Sequence, residues 1–353
     1  MGSASLNDKD YLQRYDGPAL RLMEVCGTHT AAIFKSGIRS FLSPKIKLVS
    51  GPGCPVCVTI PAYIDLAIET CLTPGNELVC FGDLLKVPGS AGTLSNAKGA
   101  GGRVRMVWSP FDALPLAEQD PETTFVIAAI GFETTVPAFG LLLEEAEAQG
   151  IQNIRLLPSL KSALTAIDWI CAAGEAIDAF ICPGHVSVVT GADAYLPLAK
   201  KYGKPFVVAG FESEHLLQAI KAAAEDASEG RSGVRNLYPE AVSTKGNQKA
   251  LDITEKYFQR YSAEWRGLGM VSGSGYRLKD AYSKYMSKEP SICHVLTKGT
   301  SPSACRCGDV ILGRIDPDEC PLFRTSCTPI NPIGPCMVSA EGACGTWFRS
   351  KGH

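Results

Sequence analysis

The segment IKLVSGPGCPVCVTIP, residues 46–61, runs from a strand through a tight loop to a helix start. Its first part, Ile46–Val49, is a short apolar run rich in β-branched residues, which indicates a buried strand. The glycines that follow allow close backbone approaches, and the prolines fix φ and remove two amide donors. A strand that leads directly into a helix is the unit of a parallel α/β sheet, so this segment predicts an α/β fold.

The loop carries two cysteines three positions apart, Cys54 and Cys57. This spacing can close a redox-active disulfide or ligate one metal, and redox, zinc and iron–sulfur uses all remain open on the motif alone. We expect Thr59 to cap the following helix and Pro61 to lie in its first turn. The positive end of that helix would then favour the thiolate form of the nearby cysteines.

Short apolar runs alternate with helical patterns along the chain, which predicts parallel sheets covered by helices on both faces. The tripeptide Gly-Phe-Glu occurs at residues 131–133 and 210–212, each time where a predicted strand passes into a helix. This repeat predicts two related parallel-sheet α/β domains, residues 1–120 and 121–225, followed by a cysteine-rich iron–sulfur part, residues 226–353. Because ligands bind beyond the carboxyl ends of such strands, where the unusual motifs fall, we expect one shared cleft.

The region after the second domain gives two local expectations. Residues 225–230 are small, acidic and polar, which predicts an exposed link after a helix that ends at Ala224. Residues 247–261 follow a helical pattern, which predicts one long helix.

The composition is that of a globular chain and excludes several classes of function. Of the 353 residues, 45% are hydrophobic and 20% are charged, and the net charge is −2. This balance offers no basic surface for nucleic acid, and no apolar run has the length of a membrane-spanning helix. Because residues 1–16 lack the apolar core of a signal peptide, we expect a cytoplasmic protein with no membrane partner.

Fourteen cysteines exceed what a cytoplasmic chain needs for packing, and they indicate metal ligands or redox groups. Four lie inside apolar patterns and are expected to be buried packing residues: Cys71, Cys80, Cys171 and Cys182. Six crowd the C-terminal end: Cys305, Cys307, Cys320, Cys327, Cys336 and Cys344. This irregular tail needs a cross-linker such as a metal to become ordered.

Four thiols of the tail, Cys307, Cys320, Cys327 and Cys344, lie beside prolines and glycines and suit either a zinc ion or a [4Fe–4S] cluster. The short Cys-x-x-Cys knuckles of zinc ribbons are absent here, which favours the cluster. Counting alone does not select four ligands from six thiols.

Further polar residues follow apolar strands. Cys26 and His29 can act as a nucleophile with its base or as two ligands of a first-row metal, with Thr30 beside them, although a purely structural role stays open. Glu133 and His185 would each alone be an ordinary cap or loop residue. Together they predict a polar cleft lining that handles protons.

Five motifs in order resemble the HypD family of [NiFe]-hydrogenase maturation proteins. They are CGTHT (26–30), GPGCPVC (51–57), GFETT (131–135), PGHVS (183–187) and the cysteine tail (307–344). The resemblance covers nearly the whole chain and includes Trp265–Gly269 and Gly334–Ser339. Ser213 stands where proline is expected in relatives, and Cys305 lies two residues before an expected ligand.

The resemblance implies a scaffold that assembles the Fe(CN)₂CO unit of a hydrogenase, rather than a conventional turnover enzyme. It implies iron at Cys26 with His29 close by, and a redox dithiol at Cys54 and Cys57 that is also implicated around the iron. The implied [4Fe–4S] ligands are Cys307, Cys320, Cys327 and Cys344. The implied partners are a small HypC-type chaperone with an N-terminal cysteine and a HypE-type protein that donates cyanide.

Two other functions stay open. One is an iron–sulfur-dependent thiol–disulfide reductase that acts at Cys54 and Cys57, and the other is a zinc-stapled α/β binding protein. Cys26 and His29 distinguish the scaffold hypothesis from the reductase hypothesis, since a reductase does not need them. The scaffold hypothesis requires the loops of Cys26 and Cys54–Cys57 to meet in one pocket, with the cysteine tail nearby.

Overall fold

A computed structural model describes residues 7–287 and 304–350 of the chain. Its strands are β1 (Leu20–Glu24), β2 (Ile46–Ser50), β3 (Asn76–Cys80), β4 (Val104–Met106), β5 (Thr124–Gly131), β6 (Ile154–Lys161), β7 (Ala179–Pro183), β8 (Pro205–Ala209), β9 (Gly233–Asn236), β10 (Phe258–Trp265) and β11 (Gly269–Leu278). Its helices are α1 (Asp8–Arg14), α2 (Gly27–Lys35), α3 (Pro61–Leu72), α4 (Leu94–Gly99), α5 (Ala113–Gln119), α6 (Val136–Ala148), α7 (Ala163–Ala172), α8 (Gly184–Thr190), α9 (Leu196–Tyr202), α10 (Ser213–Ser228), α11 (Gln248–Tyr257), α12 (Cys307–Ile311) and α13 (Ala343–Ser350).

The strands form two sheets. The first has the order β2-β1-β7-β8-β9, and all its pairs are parallel. The second has the order β10-β11-β6-β5-β3-β4, in which β6, β5, β3 and β4 pair in parallel and the β10–β11 hairpin adds antiparallel pairs. The predicted α/β class, with two largely parallel sheets and a cysteine-rich C-terminal part, is confirmed.

The two sheets interleave along the chain. In the first sheet β1 pairs with β7, and in the second sheet β3 pairs with β5. Sheet membership therefore crosses the expected boundary between residues 1–120 and 121–225. The sequence repeat does not reveal this exchange, because each strand looks alike whichever sheet it joins.

The central strands are apolar because helices cover both faces of each sheet. In β5 every residue after Thr124 is buried, which is typical of a parallel strand with two covered faces. The two Gly-Phe-Glu motifs follow the same rule in different sheets: one begins at the last residue of β5, and the other follows β8 and precedes α10. The cysteines expected to pack in the apolar core, Cys71, Cys80, Cys171 and Cys182, are all buried.

Two local expectations are wrong. Helix α10 continues to Ser228 instead of ending at Ala224, because the Asp226 carboxylate is buried and forms ion pairs with Arg231 and Arg235. The helix predicted over residues 247–261 ends at Tyr257, where β10 begins. The alternation of buried and accessible side chains in β10 follows the period of a strand that pairs with β11.

Among the described residues, no helix combines the length and the apolar character needed to cross a bilayer.

Candidate metal and thiol site

Cys26 lies at the junction of β1 and α2, where it occupies the N-cap position of the helix. Its side chain is buried, and burial together with the nearby Glu341 carboxylate raises the pKa of the Cys26 thiol to about 11. The amide of Gly27 donates to the carbonyl of Gly53 at 3.5 Å. A Cβ at Gly53 would lie 2.6 Å from the Cys26 Cα, so glycine is required for this close approach. The Cys26 loop and the Cys54–Cys57 loop are therefore in direct contact.

Cys54 and Cys57 are both buried and share a hydrogen bond. The contact with the Cys57 thiol, together with one from Ser339, lowers the pKa of Cys54 below its ordinary value. The same contact raises the pKa of Cys57 well above its ordinary value, and burial adds to the effect. Of the two thiols, Cys54 thus has the lower pKa and Cys57 the higher.

The start of the helix that follows the dithiol differs from the expectation that Thr59 caps it and that the helix end favours the thiolate. Helix α3 begins at Pro61 with Ile60 at its N-cap, and Thr59 does not cap it. The Thr59 hydroxyl instead donates to the carbonyl of Pro55 at 3.0 Å, within the loop itself. The lowered pKa of Cys54 comes from its neighbours Cys57 and Ser339 rather than from the helix end.

A cleft of about 780 Å³ opens where the carboxyl ends of the strands of both sheets face each other. Its lining comes mainly from the segments that follow β1, β2, β3, β4, β5 and β7, as expected for a ligand site at strand ends. The polar lining includes Thr28, Asp83, His185 and Glu341, while Cys26 lies at its floor beside Gly53. The Thr28 hydroxyl donates to the Glu341 carboxylate at 2.7 Å.

His29 and Thr30 point away from the cleft. The His29 imidazole is fully buried, its Nε2 lies 3.1 Å from the carbonyl oxygen of Gly210, and burial lowers the pKa of His29 to about 4. Only the backbone of His29 contacts the Cys26 sulfur. The Thr30 hydroxyl donates to the buried Glu24 carboxylate at 2.7 Å. These two residues support the loop and do not face the position of a ligand.

Glu133 and His185 occupy different environments. The Glu133 carboxylate is buried and accepts hydrogen bonds from the Ser162 hydroxyl at 2.6 Å and the Ala163 amide at 3.1 Å. It therefore holds the start of α7, while the residues around it line the cleft. His185 is exposed in the cleft, and its ring stacks on Phe211 at 4.0 Å between centroids. Of the two, only His185 is placed to exchange a proton with a bound group.

The six tail thiols converge on one small, largely enclosed cavity, which we call the thiol chamber. It is lined by Cys305, Cys307, Cys320, Cys327, Cys336 and Cys344. The Cys336 and Cys344 sulfurs are 3.2 Å apart. Cys54 and Cys57 belong to the same buried cluster as the chamber, and the Cys57 thiol lies 3.9 Å from the Pro335 carbonyl oxygen. The dithiol loop thus contacts both the chamber and the Cys26 loop.

The donor set of the chamber fits an iron–sulfur cluster. Six of the lining side chains are thiols, which are the ligands that such clusters use. Among the described residues, no three metal-ligating side chains already surround a single point. Four thiolates are also a ligand set for zinc, so the donor set by itself admits either group.

Two acidic residues at this site were missed by the sequence analysis. Glu24 is fully buried at the end of β1, where burial raises its pKa to about 7, and it accepts hydrogen bonds from Thr30 and Ser50. The sequence does carry a signal for Glu24, because it is a charged residue inside an otherwise apolar strand pattern. Glu341 gave no signal, because only the folded tail brings it to Gly27, where a Cβ would lie 2.1 Å from its carbonyl oxygen.

The fold and the site together define a class: two-sheet α/β proteins in which separate cysteine loops converge on one cleft and one thiol chamber. The family model for HypD, described as the hydrogenase formation hypA family, matches residues 8–351. The hydrogenase maturation factor HypD of Azotobacter vinelandii is 42% identical over 336 residues, which cover 93% of this chain and 88% of that protein. The HypD protein of Escherichia coli (strain K12) is 40% identical over 340 residues, covering 94% and 89%. The chain belongs to the HypD family of hydrogenase maturation factors.

Proposed function

We propose that the chain is a scaffold on which the Fe(CN)₂CO unit of a [NiFe]-hydrogenase is assembled. The observation that carries this proposal is the contact between the Cys26 loop and the Cys54–Cys57 loop at the floor of one cleft. A thiol-reductase needs only the dithiol. Here the backbone of a third cysteine, Cys26, packs on the dithiol loop at Gly53, where there is no room for a side chain.

The iron unit is the cargo of the site, and Cys26 is its proposed ligand. Its thiol is protonated in the metal-free protein, because burial and Glu341 disfavour the thiolate. Iron binding must therefore displace a proton, and a soft thiolate donor suits the low-spin iron that cyanide and carbon monoxide favour. His185 and Glu341 line the same cleft and can accept that proton.

Cys54 and Cys57 form the proposed redox pair. Reducing their disulfide would take up two protons and two electrons, which a cluster in the thiol chamber would supply one at a time, and of the two thiols formed Cys54 has the lower pKa. Because both sulfurs are buried between the cleft and the thiol chamber, exchange with bulk thiols is restricted. The pair can also approach iron held at Cys26, which the resemblance implies.

The thiol chamber is the proposed site of a [4Fe–4S] cluster. Its ligands would be Cys307, Cys320, Cys327 and Cys344, with the other two chamber thiols beside them. When bound, such a cluster supplies single electrons and fastens the irregular tail.

The proposed partners are a small HypC-type chaperone and a HypE-type cyanide donor. Two large apolar side chains on the cleft wall support docking there, since Met106 is 49% exposed and Trp108 is 89% exposed. Exposed aromatic and methionine side chains at a cleft are typical of protein contact surfaces.

The deciding experiment is infrared spectroscopy of protein purified anaerobically from a hydrogenase-producing host. We expect CN and CO stretching bands in the wild type and none in Cys26→Ala, with maturation lost and the fold retained. Cys71→Ala, a buried thiol remote from the cleft, is the control and should keep the bands. Full maturation activity in Cys26→Ala would refute the scaffold and favour the iron–sulfur-dependent disulfide reductase.

A further inference from the structure

Arg266 is a buried cation beside the thiol chamber. It lies in the turn between β10 and β11, and the residue is only 5% exposed. Its amide donates to the carbonyl of Val58 at 2.9 Å, directly after Cys57, and its Nη1 donates to the carbonyl of Pro88 at 3.4 Å. Its Nε is buried and has no hydrogen-bond partner. Neutral groups therefore satisfy only part of the hydrogen-bonding capacity of the Arg266 guanidinium.

Two glycines that face each other, Gly267 and Gly308, allow this turn to pack closely on the start of α12. A Cβ at Gly267, where φ is +90°, would lie 2.7 Å from the Cα of Gly308. A Cβ at Gly308 would lie 2.8 Å from the carbonyl oxygen of Gly267. This close packing holds Arg266 next to Cys307, and its charge acts on Cys305, Cys307 and Cys336.

The charge of Arg266 lacks an ordinary counter-ion. Within residues 7–287 and 304–350, no carboxylate forms an ion pair with it. Burying an unpaired cation costs several kcal/mol, so native proteins place an opposite charge nearby. The groups that can supply this charge here are the thiols of the chamber, which become anionic when they bind metal.

We propose that Arg266 is a positioning residue that supplies a fixed positive charge to the metal–thiolate group of the chamber and raises its reduction potential. The proposal rests on the cluster of the proposed function. A nearby cation stabilises the reduced, more negative form of such a group, and neighbouring charge and hydrogen bonds to sulfur are known to set cluster potentials. The backbone bond to Val58 also ties this charge to the dithiol loop.

The test compares four proteins after anaerobic reconstitution with iron and sulfide: wild type, Arg266→Met, Arg266→Lys and Arg277→Met. Arg277 lies in β11 of the same hairpin, so its substitution removes the same charge at the far end from the turn. Iron and sulfide per chain are measured first, and the midpoint potential is then measured by EPR-monitored redox titration. For Arg266→Met we expect about a tenfold lower ratio of reduced to oxidised cluster at a fixed potential, which is a shift of about 59 mV for one electron.

Arg266→Lys should stay near the wild-type potential, and Arg277→Met should equal it. Loss of the cluster in Arg266→Met together with its retention in Arg266→Lys would also support the role of the positive charge at this position. Equal potentials for wild type and Arg266→Met, an equal shift in Arg277→Met, or unfolding of both Arg266 variants by circular dichroism would overturn the proposal. A wild type that binds no iron and sulfide would instead refute the cluster itself, before any variant is compared.

Discussion

At the scale of single residues, the hydrogen bond between Cys54 and Cys57 sets their chemistry. The contact between the two thiols moves their pKa values in opposite directions, down for Cys54 and up for Cys57. The sequence identifies both cysteines but not this difference, because the additional contact is with Ser339 from the distant tail. Residue types and spacing predict which groups take part. The direction of each pKa shift depends on contacts that only the folded chain makes.

Cys57→Ala should slow the alkylation of Cys54. Removing the Cys57 thiol leaves the Cys54 thiolate without a hydrogen bond of about 1.5–3 kcal/mol, so its pKa rises and labelling slows at least about tenfold. The rate is measured by mass spectrometry with iodoacetamide on metal-free, anaerobic protein at neutral pH. Cys171→Ala, which removes another buried thiol, should leave the Cys54 rate unchanged. Faster or equal labelling in Cys57→Ala would contradict the effect assigned to the Cys57 thiol.

The buried imidazole of His29 should make the protein sensitive to acid. Its pKa is about 4 in the folded protein against an ordinary value of 6.5, so folding favours the neutral form. Above pH 6.5 the neutral ring makes its full contribution to the free energy of unfolding. This contribution of about 3 kcal/mol is lost as the pH falls from 6.5 to 4. His29→Gln should lack this part of the pH dependence. Urea unfolding at several pH values measures it, and parallel curves for the two proteins would argue against a buried neutral His29.

At the scale of elements, the strand ends were the most predictable part of the fold. The sequence placed β5 and β8 and the loops after them correctly, because buried parallel strands are apolar throughout. The β10–β11 hairpin was missed, since a helical pattern and a half-buried strand overlap around Tyr257. Glu133 was expected in the cleft, but it holds the start of α7, a role that requires knowing where α7 packs.

Substitution of Gly53 should separate the Cys26 loop from the dithiol loop. In Gly53→Ala the new Cβ would meet backbone atoms of Cys26 and Gly27 at 2.5–2.6 Å, and the backbone cannot yield locally. We expect a loss of about 1–3 kcal/mol in the free energy of unfolding, measured by urea denaturation, together with weaker iron binding at Cys26. Gly99→Ala is the matched control, because its Cβ would meet no atom within 4 Å. An unchanged stability in Gly53→Ala would show that the loops are not in contact.

At the scale of the whole molecule, the cysteine tail is tied to the rest of the fold through α13. Helix α13 carries Cys344 and packs on α2, whose N-cap is Cys26, and the rings of Trp347 and Phe34 meet edge to face at 5.2 Å. The scaffold hypothesis required that the tail and the two cysteine loops lie close together. Composition alone gave only the need for a cross-linker, since the tail has no regular pattern.

Removal of the metal that we propose for the tail should loosen α13 and α2 but not the sheets. Chelation of reconstituted protein should raise amide hydrogen exchange across residues 307–350 and across α2, because the tail has few other constraints. The β5 amides should stay protected, since that strand is buried between helices. Cys320→Ser should reproduce the loosening and lose the brown absorbance of the cluster. Unchanged exchange in the tail after chelation would mean that the tail is ordered without metal.

The interleaving of the two sheets has a consequence for synthesis on the ribosome. Strands β1 and β2 emerge early, but the inner edge of β1 has no partner until β7 has left the exit tunnel. During that interval β3 and β5 of the second sheet pair while the first sheet is still incomplete. The open edge of β1 is then prone to aggregation. Neither sheet is completed by an N-terminal fragment, so a nascent chain stalled before residue 179 is a substrate for chaperones rather than a functional half.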